Sequence, residues 1–207
     1  MADMTHEVSV PVAAPPPAAE PFDRTQLQIV PLRAIPVVAV VLGLLVAVIA
    51  ADWGWGLDFF HVVGGGLWTA IDLFVGFVVG PILGRLSIPA RMEFSARFMP
   101  KMLLLMPTLV LCTMAAGWQL GHHLGFTDAS YFRHDWLVAS YIVVGVMSVI
   151  ALGILEPANL AVLFELKKPR PNGELIAKLM RRFIYTAGVT GAMQVATLII
   201  MTRISSA

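Results

Sequence analysis

The stretch over residues 58–80, DFFHVVGGGLWTAIDLFVGFVVG, constrains this chain more than any other. A membrane-spanning helix needs about 20 predominantly apolar residues, and this stretch supplies them while carrying a histidine and a deep carboxylate. Asp58, His61, Gly65, Trp68, Asp72 and Gly76 are spaced 3, 4, 3, 4 and 4, which puts them on one side of an α-helix. His61 and Asp72 fall about 20° apart in azimuth and about 16 Å apart in depth. A lipid-facing surface has no use for such a stripe. Ionisable groups inside a membrane face the bundle interior or a cavity and mark function by default.

The rest of the chain agrees. Of its 207 residues, 58% are hydrophobic and 13% charged, against about 25% charged in a soluble domain. The expected fold is all-α: a polytopic membrane bundle of five transmembrane helices over about residues 34–51, 57–83, 98–121, 136–163 and 182–201. Residues 1–33, with Pro15, Pro16 and Pro17 in a row, read as a disordered cytoplasmic tail. The first span is nearly all Val, Leu, Ile and Ala, a lipid-contacting anchor. Pro107 predicts a kink in the third, and Glu156-Pro157 a helix break in the fourth. A net charge of +1 gives no electrostatic case for nucleic acid. The lone Cys112 excludes an intrachain disulfide and reads as an apolar filler.

Lysine and arginine alternate between the loops. Arg85, Arg91, Arg97 and Lys101 follow the second span, and Lys167, Lys168, Arg170, Lys178, Arg181 and Arg182 follow the fourth. The loop after the first span has none, and that after the third has only Arg133. This pattern predicts a cytoplasmic amino terminus and an outer carboxyl terminus in a cell inner membrane. His61, His122, His123 and His134 then share the outer side, with Asp72 and Glu156 deeper.

Neutral imidazole ligates haem iron, copper or zinc. His61 and His122 on different helices are candidate metal ligands, with His123 beside them. Each also has an ordinary use: His61 in a hydrogen bond to Asp58 or a backbone carbonyl, His122 and His123 as interfacial residues at a helix end. Met99, Met102 and Met106 at helical spacing could be soft copper ligands or flexible packing. Asp72 and Glu156 are the candidate catalytic carboxylates, able to carry protons or to accept a bond from Tyr141 or Gln194.

His61, Trp68 seven residues on, Gly80-Pro81 and Arg85 resemble the first helix of the four-helix core shared by the CopD-like membrane proteins, the HemJ-type protoporphyrinogen oxidases and the DUF2269-type integral membrane proteins. Arg97, Pro107 and Gly117 resemble the next helix, Trp136-Leu137 the start of the third, and the span from Arg182 the last. The resemblance covers about residues 57–203, with the first span as an extra amino-terminal helix. It implies a haem b ligand at His61. Trp68, Arg97, His122 and His123 are the further candidate cofactor-binding residues. The HemJ-type proteins carry a lysine shortly after the Trp-Leu pair. Here Val138-Ala139-Ser140-Tyr141 follows, which weakens that branch.

The expected function is therefore a haem-binding redox or electron-transfer protein near the outer face, exchanging electrons with a quinone or tetrapyrrole substrate while Asp72 and Glu156 manage protons. A CopD-like copper-handling protein is one alternative. A non-catalytic subunit of a homo- or hetero-oligomer, without cofactor, is another, with Gly188-x-x-Gly191 and the polar stripe serving helix packing.

Overall fold

The computed structural model describes residues 27–128 and 130–206. Pro15, Pro16, Pro17, His6 and Arg24 lie outside the described residues. Among the described residues there is no strand. Five helices are long and apolar enough to cross a membrane: α1 (Leu32–Ala50), α2 (Gly54–Arg85), α3 (Ile88–His123), α4 (His134–Lys167) and α5 (Gly173–Ser205). The chain is a multi-pass all-α membrane bundle. Its lipid-facing surface is built from exposed apolar side chains on every helix, such as Val40, Phe77, Leu111, Val149 and Ile199.

Four of the helices outrun the apolar runs that announce them. α3 begins at Ile88 because Ser87 is extended (ψ 158°) and Pro89 sits in the first turn, where its missing N–H costs nothing. α5 begins at Gly173 because the Asn172 side chain caps it, accepting from the Glu174 and Leu175 amides at 3.1 Å each. The added turns carry Arg91 and Arg97 on α3 and Lys178 and Arg181 on α5, with Arg182 next to them. A helix of α3's length, 36 residues, measures about 54 Å against a hydrocarbon core of about 30 Å, so its charged turns stand at or beyond the interface.

All of these basic residues gather at one end of the bundle, where α2 turns into α3 and α4 into α5. Arg91 closes the first turn, donating to the Leu86 and Gly84 carbonyls at 2.9 and 2.8 Å. Glu165 closes the second, accepting from Lys168 Nζ at 2.5 Å and from the Asn172 amide at 3.1 Å. Beneath these turns Met99, Val162, Leu163, Leu166, Ile176 and Met180 form the main apolar core. Leu27, assigned to the tail from the sequence, is buried in the same core.

Internal prolines shape two helices in the same way. A six-residue π segment, Phe74–Val79, precedes Gly80-Pro81 in α2. A five-residue π segment, Ala151–Leu155, precedes Glu156-Pro157 in α4. Proline removes an N–H and crowds the preceding turn, and the wider π turn accommodates both defects. Glu156-Pro157 is therefore not a break: α4 continues through it to Lys167. α3 likewise runs unbroken through Pro100 and Pro107.

Close packing of α2 on α5 depends on glycine. Gly76 faces Gly188 so closely that a Cβ built on Gly76 would lie 2.5 Å from the Gly188 Cα. One turn on, Gly191 meets Leu73. The Gly188-x-x-Gly191 pair thus serves an internal contact. α1 is peripheral. It buries only Leu45 and Val48, with Leu45 packed against Cys112 and Ala116 of α3.

Candidate functional site

The stripe on α2 turns inward from Trp68 onward. Trp68 and Asp72 are buried, His61 is half-buried, and Asp58 is exposed. Asp72, only 2% exposed, gathers three donors on one oxygen. Its Oδ2 accepts from Trp68 Nε1 at 3.0 Å and from Gln194 Nε2 at 2.9 Å. Thr190 Oγ1 lies 3.0 Å from the same oxygen and about equally near the Ala187 carbonyl, so its single proton serves one of them at a time. None of the described residues donates to Asp72 Oδ1.

Asp72 forms part of the wall of a cavity of about 360 Å3 set between α2, α3 and α4. α3 contributes Met102, Met106, Pro107, Val110, Leu111 and Met114, α4 contributes Ala151, Leu152, Leu155, Glu156 and Asn159, and Phe183 of α5 completes it. Both π segments supply wall residues: Val75 from the first and Ala151, Leu152 and Leu155 from the second. The cavity exists because α3 and α4 touch only at intervals. At its basic end, Asn159 holds the helices together. With its amide nitrogen toward the Met99 carbonyl (3.2 Å) and its oxygen toward the Leu103 amide (3.3 Å), it bridges a backbone pair one turn apart on α3. Toward the other end, Ser148 Oγ lies 3.2 Å from Met114 Sδ, and Trp118 packs on Tyr141 with ring centroids 5.4 Å apart. Between these bridges, Leu111, Met114 and Leu152 belong to the cavity wall and are also exposed on the outer surface of the bundle. The gap therefore faces the bilayer. Glu156 reaches the cavity half-buried and makes no hydrogen bond or ion pair with the described residues.

The other residues singled out from sequence lie elsewhere. His61 Nδ1 donates to the Thr113 carbonyl at 2.9 Å, and its ring packs so closely on Gly117 that a Cβ there would overlap it. A carbonyl only accepts, so Nδ1 carries the proton and Nε2 the lone pair. His122 packs edge-on against Trp118 and has Thr127 Oγ1 3.3 Å from its Nδ1. His123 Nδ1 donates to Asp52 Oδ2 at 2.9 Å, and Gln119 adds a 3.1 Å bond to Asp52 Oδ1. These contacts pin the α1–α2 turn, in which Asp52 has φ +46°, against the end of α3. The two bonds, His123 first, hold the Asp52 carboxyl below its ordinary value. Arg97 pairs with Glu93 at 2.8 Å on the exposed face of α3, about 30 Å along that helix from Gly117. Met99 is in the apolar core, whereas Met102 and Met106 line the cavity.

The structure thus brings together Trp68, Asp72 and Glu156, and does not bring Arg97, His122 or His123 to His61. His61, His122 and His123 form separate contacts, the Nδ1 of His134 is buried without a hydrogen-bond partner among the described residues, and no three His, Cys, Asp or Glu residues among those described come close enough to hold a metal. His61 does not line the cavity that holds Asp72 and Glu156. Gln194 is the donor to Asp72 that the sequence offered, and Tyr141 is not: its hydroxyl is buried without a partner among the described residues. Thr190 was missed. The signal was its position four residues before Gln194, one turn away on the same face.

In comparison with known proteins, the chain matches no family model, no curated protein sequence and no solved structure.

Proposed function

We propose that this protein binds a small lipid-soluble ligand, taken from the bilayer through the gap between α3 and α4 and held between Asp72 and Glu156. The observation that carries this is the cavity itself. An apolar pocket with a few convergent polar groups is the default binding site of a protein, and two carboxylates at membrane depth have no structural excuse unless both are used. Asp72 is used in part, through Oδ2. Glu156 has no hydrogen-bond or ion-pair partner among the described residues.

The test is photolabelling in lipid nanodiscs with an apolar diazirine probe dissolved in the bilayer. Adducts should concentrate on Met106, Val110 and Leu155, and Ala151→Phe, which fills the cavity, should suppress them. Labelling confined to outward residues such as Phe77 and Val149, and unchanged in Ala151→Phe, would rule the site out.

The basic residues gathered at one end support a cytoplasmic assignment for that end, with an inner-membrane location, the amino terminus inside and the carboxyl terminus outside. A maleimide that does not cross membranes should label Trp55→Cys from outside and Lys168→Cys only after permeabilisation.

A haem-based redox role near the outer face is a second reading. It is favoured by one observation, the Nε2 lone pair that the Thr113 bond leaves on His61. Oxidised and reduced absorption spectra of purified protein test it: a Soret band lost in His61→Ala would support it, and a colourless protein would count against it. Copper at the methionines has the support of Met102, Met106 and Met114 in the cavity wall. Metal analysis of the same sample tests that reading.

A further inference from the structure

We infer that the occupant of the cavity between α3 and α4 is an organic cation: an apolar body bearing one protonated amine or onium centre, with Asp72 and Glu156 as its counter-charges. This rests on the binding role proposed above and names the class of ligand.

The inference follows from which polar atoms are free. Asp72 Oδ2 is taken by Trp68, Gln194 and Thr190, and the Asn159 amide by the α3 backbone. That leaves Asp72 Oδ1 and both oxygens of Glu156. When ionised, all are acceptors, and among the described residues no lysine, arginine or histidine lines the cavity. A ligand that brings only carbonyl oxygens, such as a quinone, would set acceptors against acceptors. A cation supplies what the site lacks. Burying a carboxylate away from water is costly unless it is paired, so a positive centre is the occupant that relieves the cost most.

The remaining walls suit the same class. Trp68 and Phe183 offer aromatic rings, which attract cations through their π faces. Met102, Met106 and Met114 offer polarisable, adaptable thioethers that fit apolar bodies of varied outline. The two carboxylates differ in freedom. Asp72 is fixed by its donors, whereas Glu156, which no described residue bonds, can follow the ligand.

The experiment uses the purified full chain in nanodiscs and equilibrium dialysis with three probes. Tetraphenylphosphonium is a lipophilic cation, triphenylphosphine oxide is a neutral analogue of similar outline, and decylubiquinone is a quinone. The cation should bind saturably, one per chain. Glu156→Gln should weaken it at least about tenfold, because a buried charge loses its partner, and Asp72→Asn should also weaken it. Glu156→Gln removes no bond made by the described residues, so it should elute as wild type does on size exclusion. Ala151→Phe should abolish binding. Binding of a neutral probe in preference to the cation, undiminished in Glu156→Gln but lost in Ala151→Phe, would overturn the charge assignment while leaving the site. Failure of all three probes, or binding indifferent to Ala151→Phe, would overturn the site itself.

Discussion

Asp72 on α2 and Gln194 on α5, 122 residues apart in sequence, meet through a buried 2.9 Å hydrogen bond. The same carboxylate oxygen takes the Trp68 indole N–H. Asp72 therefore has two roles: its Oδ2 ties helices together while its Oδ1 is left for the cavity. Glu156 has only the second role.

Stability should separate them. Asp72→Leu orphans the Trp68 and Gln194 donors, each worth about 1–3 kcal/mol when left unsatisfied, although hydrogen bonds between membrane helices average nearer about 0.6 kcal/mol. We expect Asp72→Leu to lower the detergent-unfolding midpoint clearly, Asp72→Asn to lower it less, and Glu156→Gln to leave it unchanged. Equal losses for Asp72→Leu and Glu156→Gln would show that Glu156 has a structural partner after all.

The contact of Gly76 with Gly188 predicts a second pattern. A side chain at Gly76 must displace the α5 backbone, which is not the yielding end of a flexible chain. Gly76→Val should cost about 1–3 kcal/mol, the usual range for overpacking. Gly43, whose Cβ position is open, should accept the same change at little cost. Thermal melting of the two variants side by side decides it.

The Asp52 contact should respond to acid. The His123 and Gln119 bonds depress the folded-state value of Asp52 below 3.8. A carboxyl depressed on folding contributes stability that is fully present above its unfolded value and is lost as pH falls through the folded one. Acidification from neutral pH to 3.8 should thus leave the carboxylate's contribution largely in place, with the loss following below that. The contribution is small, because the group is exposed. Hydrogen exchange at the Trp53 to Leu57 amides should quicken in that range in wild type, and Asp52→Asn should flatten the dependence. An Asp52→Asn profile that matches wild type would refute the assignment.

The Gly117–His61 contact gives a fourth test. Gly117→Ala should push the His61 ring off the Thr113 carbonyl. In NMR spectra the His61 Nδ1–H resonance should broaden or vanish, while the His123 resonance stays in place.

Much of this architecture can be read from the sequence, for reasons visible in single residues. The five spans follow from apolar run length, and the α2 stripe follows from helical periodicity through Trp68 and Asp72. The helix ends do not, because Ser87 and Asn172 start α3 and α5 in segments too charged to register as membrane spans. The pairing of histidines does not either. Sequence assigns His61, His122 and His123 to one face of the membrane, but depth is not azimuth: one packs on Gly117, one on Trp118 and one on Asp52. The cavity was half legible. Asp72 and Glu156 stood out as charges in apolar runs, whereas their meeting depends on how α3 and α4 stand apart, which no local pattern encodes.

The two π segments carry a consequence for helical phase. Each accommodates one residue more than an α-helix of the same rise would hold. The extra residue is absorbed within the wide turn, so removing one from Phe74–Val79 or Ala151–Leu155 would restore α geometry and leave the two flanks in nearly the same phase. In α4 the segment lies between Ser148, which meets Met114, and Asn159, which meets Met99 and Leu103. Deleting Gly153 should therefore leave both contacts with α3 in place, whereas a deletion in the regular turns of α4 between them would swing one away by about 100°. The extra residue acts as slack in the chain, taken up just before Glu156-Pro157 without altering the timing of the helix on either side.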